Sequence, residues 1–353
     1  MIRLYNKKIE NFRLVFRYSI RVIKSFLFTI KKLSFPISNP DAAIVVFTSS
    51  FFYWCGGDSG LKDRIAFKSL IISGFRPILI FNDIAKIPKS VNLVIINPHH
   101  RMFSKRNTDG KFSEELSHLF EKVESKGINL IPSSKDILFL ENKRYMHQAL
   151  HEHKIKQPKT EILRKRDCSY ENLKDTFGDK FIIKTLDGSG SDGVFLIKNF
   201  EEFRSAKIDY FICQEFLNIT FDLRVIMTCG RVESFYWRKS NVKNGKWRPT
   251  STSHGSRVDF YDLPKSAEKL CSEIYQKLNV FTFGADICWK NDDLSTEPIV
   301  LEFSPTYQPN PNPKGLLSTD IYHQFKKNTV FLYEEQFEKL IFVLFYNQLV
   351  HIK

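Results

Sequence analysis

The chain has 353 residues, with 53 Lys and Arg against 39 Asp and Glu and a formal charge of +14. At 42% apolar residues and 33 Phe, with only 15 Gly and 14 Pro, it can bury a large core, which excludes collagen-like, low-complexity and disordered chains. Six scattered cysteines (Cys55, Cys168, Cys213, Cys229, Cys271, Cys288) form no Cys-x-x-Cys pair, so reduced thiols are expected and a zinc site is not.

Residues 1–35 carry nine cations against Glu10 alone, +8 of the total. At 100° per residue Phe12, Phe16, Ser19, Ile23, Phe26, Ile30 and Leu33 share one face, and Arg13, Arg17, Arg21, Lys24, Lys31 and Lys32 lie opposite, which predicts a basic amphipathic helix. Such a helix can lie in an anionic lipid surface, or it can pack on its own protein or a partner with its basic face solvated. Nucleic acid ranks last, since no helix-turn-helix, zinc-finger or ribonucleoprotein motif accompanies the charge. The longest uncharged run, Ala42 to Gly57, is shorter than the roughly 20 residues a membrane span needs, and the cations from Arg13 to Lys24 break any signal-peptide centre. A cytoplasmic protein is expected, with peripheral attachment to the inner membrane face through residues 1–35 left open.

Apolar runs at Ala43–Phe47, Pro77–Phe81, Leu93–Ile96 and Asn129–Ile131, with amphipathic stretches Leu61–Ser73 and Ser113–Lys126 between, predict an open α/β layer with a mainly parallel sheet. Cys55-Gly-Gly-Asp-Ser-Gly60 follows the first strand, where open α/β sheets favour ligands, so Gly56, Gly57 and Asp58 are candidate substrate contacts; a tight turn explains the glycines equally well. Asn142 to Leu150 reads as a helix, and its neighbourhood holds His147, His151 and His153. With no third ligand type beside them, a solvated helix face is the expectation, not a metal site.

Lys180-Phe-Ile-Ile-Lys184 leads into Gly188-Ser-Gly190-Ser-Asp-Gly193 and then Val194-Phe-Leu-Ile197. A dinucleotide fingerprint requires a helix after the glycines, but here a β-branched and aromatic run follows, so the pattern is strand, loop, strand. In such a hairpin flap, backbone N–H groups can fold over phosphates, with the Lys184 ammonium beside them. A protein-kinase reading fails, because no His-Arg-Asp or Asp-Phe-Gly sequence follows. Downstream, Tyr210–Phe216 is a strand running into a linker, and Asp222–Thr228 with Arg231–Arg238 is an antiparallel pair. The polar stretch from Asn241 to Ser256, which contains His254, reads as an active-site loop, and His254 is a further candidate substrate contact. Asp286 and Glu302 each interrupt a strongly apolar strand. A buried carboxylate needs a cationic partner, either Mg²⁺ bridging triphosphate oxygens or nearby arginines.

The order Asn142-Lys143, Ile183-Lys184, Gly188-Ser-Gly-Ser-Asp-Gly193, Gln214-Glu215-Phe216, Asp222-Leu-Arg224, Gly284-Ala-Asp286 and Leu301-Glu302-Phe-Ser304-Pro305 resembles the ATP-grasp superfamily. The peptide-ligase branch, with D-alanine:D-alanine ligases, glutathione synthetases and ribosomal-protein glutamate ligases, is the most similar. The resemblance implies an α/β and α+β protein: a basic helical extension over 1–40, a pre-ATP-grasp open α/β domain over 41–135, and the two lobes of an ATP-grasp fold over 136–215 and 216–353, the second ending in a C-terminal helix. It implies ATP and Mg²⁺ as cofactors. Lys143 and Lys184 would hold the α- and β-phosphates, and Gly188, Ser189, Gly190, Ser191 and Gly193 would close over the β- and γ-phosphates. Gln214, Glu215 and Phe216 would form the hinge that takes adenine, with the acidic side chain on the ribose. Asp286, Glu302 and Ser304 would ligate the metal, and Arg224 and Arg238 would face the reacting phosphoryl group. Two departures stand out: Ser304 replaces the usual Asn, and Ser304 to Gly315 replaces the family's Asn-x-x-Pro-Gly ending. The implied activity joins a carboxylate to an amine through an acyl phosphate, and the basic terminus would suit an acidic, membrane-linked carboxylate such as a sugar acid of a surface polysaccharide. A small-molecule kinase on the same fold and a non-catalytic ATP-binding scaffold at the membrane are the alternatives.

Overall fold

The computed structural model describes residues 19, 21, 23–24, 38–48, 54, 58–97, 111–186, 191, 193–240, 247–310 and 330–352. In chain order the elements used below are β1 (Ala42–Val46), α1 (Asp58–Ile72), β2 (Pro77–Phe81), β3 (Leu93–Ile96), α2 (Lys111–Glu124), β4 (Asn129–Ile131), α3 (Ser134–Ile137) and α4 (Lys143–Glu152). They continue with β5 (Thr160–Arg164), α5 (Tyr170–Phe177), β6 (Phe181–Thr185), β7 (Val194–Ile197), α6 (Phe200–Ser205), β8 (Tyr210–Glu215), β9 (Phe221–Thr228) and β10 (Arg231–Lys239). The last are β11 (Arg257–Asp259), α7 (Lys265–Leu278), β12 (Thr282–Cys288), β13 (Ile299–Ser304) and α8 (Val330–Ile352). The chain divides into two compact units, one of residues 1–106, 119–133 and 324–353, the other of 107–118 and 134–323.

In the first unit the strands run in the order β2-β1-β3-β4, all parallel, as the apolar runs predict. Every residue of β1 and β3 is buried, which is why these strands read as unbroken Ala, Val, Ile and Leu instead of alternating. Asp63 of α1 is buried beside this sheet and accepts hydrogen bonds from Trp54 Nε1 at 2.7 Å and from the Asn97 amide; burial pushes its carboxyl up to about 6. The C-terminal helix α8 packs along α1. Gly56 and Gly57 lie outside the described residues, and Asp58 is the first residue of α1.

The basic helix expected at residues 1–35 lies outside the described residues except at four positions, all helical. There Arg21 is buried with its carbonyl bonded by Arg64, and Lys24 pairs with Glu338 of α8 at 3.0 Å, while Ile23 is 58% exposed. Of the two cations Arg21 is turned into the protein while Lys24 stays exposed, and the apolar Ile23 is exposed as well, so at these positions the expected division into a buried apolar face and a solvated basic face does not hold. Long basic side chains can turn inward because the stem packs while the head finds a carboxylate or carbonyl. Among the described residues no helix is long and apolar enough to cross a membrane.

The second unit holds two antiparallel sheets, β5-β8-β6-β7 and β11-β10-β9-β12-β13. Phe177, Phe181, Phe203 and Phe211 pack under the smaller sheet. The larger sheet packs Leu223, Val225, Met227, Phe283, Ala285, Ile287 and Phe303 against α4 and α7. Strand alternation then sends the intervening Asp222, Arg224, Gly284, Asp286 and Glu302 to the opposite face. The register aligns them: Tyr236, Arg224, Asp286 and Glu302 are successive cross-strand partners over β10, β9, β12 and β13, and Arg238 stands opposite Asp222 one step along. Four strands from separate parts of the chain thus place one row of charge on one sheet face. Asn142 starts α4 as an N-cap, its side chain accepting from Tyr145 N at 3.0 Å.

Candidate functional site

Within the second unit one cleft of ≈ 760 Å³, including its open mouth, runs from the smaller sheet to the charged face of the larger one. Pro158, Ile182, Phe216, Leu217 and Ile219 give it an apolar end, and Lys184, Asp222, Arg238, Asp286 and Glu302 line the other.

The flap forms as expected: β6 and β7 pair antiparallel, so strand, loop, strand is the arrangement and no helix follows the glycines. Thr185 N donates to Gly193 O at 3.0 Å at the neck of this hairpin, where a Cβ at Gly193 would collide with the Thr185 side chain. Ser191 takes φ +66° and lines the cleft; Gly188, Ser189 and Gly190 lie outside the described residues. Lys184, the penultimate residue of β6, lines the cleft. Burial lowers its ammonium to about 8, the Glu302 carboxylate opposing and the nearby Lys143 charge adding to that fall. Lys143, the first residue of α4, is buried, and its N–H bonds Leu186 O at 3.0 Å.

Gln214, Glu215 and Phe216, the residues expected to form the hinge, line the cleft. The Glu215 carboxylate is already engaged, accepting from Lys159 N at 2.8 Å and pairing with Lys290 at 3.4 Å. Trp247, Arg248, Pro249 and Thr250 also line the cleft, Trp247 meeting Phe216 edge to face at 6.5 Å. These four come from the polar stretch that reads as an active-site loop. His254 of that stretch sits in a short 3₁₀ turn and is not among the cleft-lining residues.

At the charged end Asp286 is gripped by two arginines. Arg224 forks onto it, with Nη2 to Oδ2 at 2.8 Å, and Arg238 Nη2 reaches Oδ2 at 2.8 Å. Arg238 also donates from Nε to Asp222 Oδ1 at 2.7 Å, and Thr250 Oγ1 donates to Asp222 Oδ2 at 2.7 Å. Burial alone would raise the Asp286 carboxyl, but the two guanidiniums hold it well below the usual carboxylate range. Asp222 goes the other way, burial outweighing Arg238. The arginine partners weighed for Asp286 are therefore present, and they do not empty the site of metal-binding capacity. Asp286 and Glu302 face each other across β12 and β13 and share the cleft, and Mg²⁺ needs only one or two carboxylates when phosphates and water complete its shell. Ser304 stands one step away, opposite Gly284, its Oγ accepting from Thr306 N at 3.3 Å; it is not among the cleft-lining residues.

His147 departs from the solvated face expected of it. His151 and His153 are exposed, but His147 is 2% exposed. Burial lowers its imidazole to about 3, the positive charge of Lys184 adding to the effect. Between that value and the ordinary 6.5, the unfolded chain carries a proton on His147 that the folded chain does not. Stability contributed by the neutral ring is complete above pH 6.5 and is lost as pH falls, by roughly 1.4 kcal/mol per unit. Urea unfolding at pH 7 and pH 5 should show a larger loss for the wild type than for His147→Gln, which has no titrating group there; equal losses would place the proton elsewhere.

A family model described as a RimK-like ATP-grasp domain matches residues 124–309. The structure is similar to an ATP-grasp RimK domain protein from Sphaerobacter thermophilus, at 10% identity and TM-score 0.52 over 86% of this chain and 98% of that one. It is also similar to the D-alanine–D-alanine ligase of Bacillus anthracis complexed with ATP, at 12% identity and TM-score 0.55 over 89% and 100%. The ATP-grasp ligase PsnB, solved with a precursor variant, Mg and ADP, matches at 11% identity and TM-score 0.52 over 85% and 99%. At these identities the likeness is one of fold. No curated protein matches the sequence. With the family model covering more than half of its length, and a pre-ATP-grasp-like parallel sheet in addition, the chain belongs to the RimK-like ATP-grasp family.

Proposed function

We propose that the protein is an ATP-dependent ligase that joins a carboxylate to an amine through an acyl phosphate. A carboxylate oxygen attacks the γ-phosphorus of ATP, the bond to the β-bridging oxygen breaks, and ADP leaves. The amine nitrogen then attacks the acyl carbon, the C–O bond to phosphate breaks, and the nitrogen loses a proton to solvent as phosphate departs. The observation that carries this reading is that Lys184, Ser191, the hinge 214–216, Arg238, Asp286 and Glu302 all line one cleft.

In this assignment Lys184 and Lys143 hold the α- and β-phosphates, and the 188–193 flap covers the β- and γ-phosphates, excluding water that would hydrolyse the activated acid. The hinge takes adenine through its backbone. Asp286 and Glu302 would hold Mg²⁺, which neutralises charge on the phosphate oxygens. Arg224 and Arg238 hold Asp286 in place and supply positive charge beside the transferring group. Ser304 is the third oxygen donor in this scheme, with Thr306 as its present partner. For the amine-accepting acid, the +8 carried by residues 1–35 supports an acidic, membrane-linked substrate such as a sugar acid of a surface polysaccharide, with Gly56, Gly57, Asp58 and His254 as substrate contacts.

ADP release with ATP, Mg²⁺ and a panel of acids that includes uronic acids, in the presence of hydroxylamine, should yield a hydroxamate. A stable phosphorylated product without hydroxamate would replace the ligase by a small-molecule kinase, and nucleotide binding with no turnover on any acid would leave a scaffold. Glu302→Gln is expected to raise the Mg²⁺ needed for half-maximal activity by about tenfold, since one of two anionic donors becomes neutral. An unchanged Mg²⁺ titration would remove Glu302 from the metal site.

A further inference from the structure

We propose that His147 and Gln157, neither of which lines the cleft, select adenine over guanine by fixing which end of the Gln214 carboxamide faces the base. This rests on the nucleotide reading above and adds residues that the sequence motifs do not contain.

The chain of hydrogen bonds has a determined polarity. Gln157 Nε2 donates to the His147 carbonyl at 3.0 Å, so its amide oxygen faces the ring, and His147 Nδ1 meets Gln157 Oε1 at 2.6 Å. An amide oxygen only accepts, so the Nδ1 atom of the neutral ring carries the proton and Nε2 is bare. That bare nitrogen faces Gln214 Nε2 at 3.4 Å, and a bare ring nitrogen can only accept. Gln214 Nε2 also donates to Thr160 Oγ1 at 2.9 Å, while the Thr160 hydroxyl itself donates to Pro158 O at 2.6 Å. The amide nitrogen of Gln214 is thereby turned inward, and its carbonyl oxygen is the end left for the cleft that Gln214 lines.

Of the two anchors, His147 is the decisive one. A threonine hydroxyl can reverse from acceptor to donor by rotating, and would then tolerate a flipped Gln214 amide. The imidazole cannot follow, because its proton is committed to Gln157 and burial beside Lys184 and Lys143 keeps it from taking a second one. An acceptor oxygen at this point matches the exocyclic amine of adenine and opposes the carbonyl of guanine. Where a built hydrogen bond meets the wrong partner, the cost is that of a buried unpaired group.

Calorimetric titration of the full chain with ATP, GTP and inorganic triphosphate in the presence of Mg²⁺ tests this. The wild type should bind ATP at least about tenfold more tightly than GTP. In His147→Leu the preference should fall to within about threefold while triphosphate affinity is unchanged, because only the base end is disturbed. His147→Gln, which restores an acceptor toward Gln214, should recover the preference. If His147→Leu does not fold, Gln157→Leu carries the same expectation, since it frees the imidazole to exchange tautomers. A folded His147→Leu or Gln157→Leu with the full ATP preference would overturn the inference, as would a wild type that binds both nucleotides equally; the ligase reading would survive either. Absence of any nucleotide or triphosphate binding would instead overturn the underlying reading, and this one with it.

Discussion

Lys184→Ala is expected to lower ATP turnover by about 10²–10³-fold, the range found when one preorganised charge is removed from a developing anion. The same variant should not lose stability. Burial lowers the Lys184 ammonium from its ordinary 10.5 to about 8, so the folded state disfavours the charge it carries at pH 7. Between pH 8 and 10.5 the unfolded chain keeps a proton that the folded chain has released. Apo stability therefore rises with pH across that window, and below it the full cost of burying the charge is present. Removing the ammonium removes that cost, and apo Lys184→Ala should unfold at the same or a higher urea concentration than the wild type at pH 7. In the wild type, nucleotide affinity should fall as pH rises through about 8 in the free protein, and this fall should vanish in Lys184→Ala. A variant that binds and turns over ATP normally, or that unfolds like a core truncation, would show that the lysine is structural.

Arg238→Leu should behave in the opposite way. Arg238 bridges Asp222 and Asp286 and is 6% exposed; Arg224 still holds Asp286 when it is lost, but Asp222 is stranded without a cation, and removing one partner of a buried pair costs about 3–5 kcal/mol. Urea unfolding should show that loss directly. The double variant Arg238→Leu with Asp222→Leu should recover part of it, because replacing both members by apolar groups abolishes the stranded charge at that point. If the single variant were as stable as the wild type, Asp222 would have to find another cation, and the assignment of Arg238 as its buried partner would fail. Activity should be lost in both variants, so stability and turnover together separate the two roles of this arginine.

The parallel strands of the first unit were legible because strands buried on both faces must be continuously apolar, and Ala43 to Phe47 and Leu93 to Ile96 are. The flap was legible because Val194 to Ile197, a β-branched and aromatic run, follows its glycines and cannot be the helix a dinucleotide loop needs. Asp286 and Glu302 announced themselves as charges inside apolar strands. Asp222 and Thr250 were not assigned a role, although Asp222 is part of a recognised motif, since an Asp at a strand start looks the same whether it faces solvent or an arginine sixteen residues away. His147 was misjudged for a related reason. Its helix carries His151 at the same spacing as a solvated pair, and only the side chains of Gln157 and Gln214, which meet one ring and not the other, mark His147 as buried.

The sequence by itself thus determined the parallel strands of the first unit, the strand, loop, strand arrangement around the glycines, and that Asp286 had to have a partner, because these follow from local periodicity and from the cost of burying charge. Only the tertiary structure decided who the partners are. Antiparallel register brings Arg224, Asp286 and Glu302 into one row, and burial behind Gln214 turns His147 from a surface histidine into a neutral acceptor. Both depend on residues far apart in the chain coming within hydrogen-bond reach, Arg224 and Asp286 across 62 positions and Gln214 and His147 across 67, and no local pattern encodes that distance.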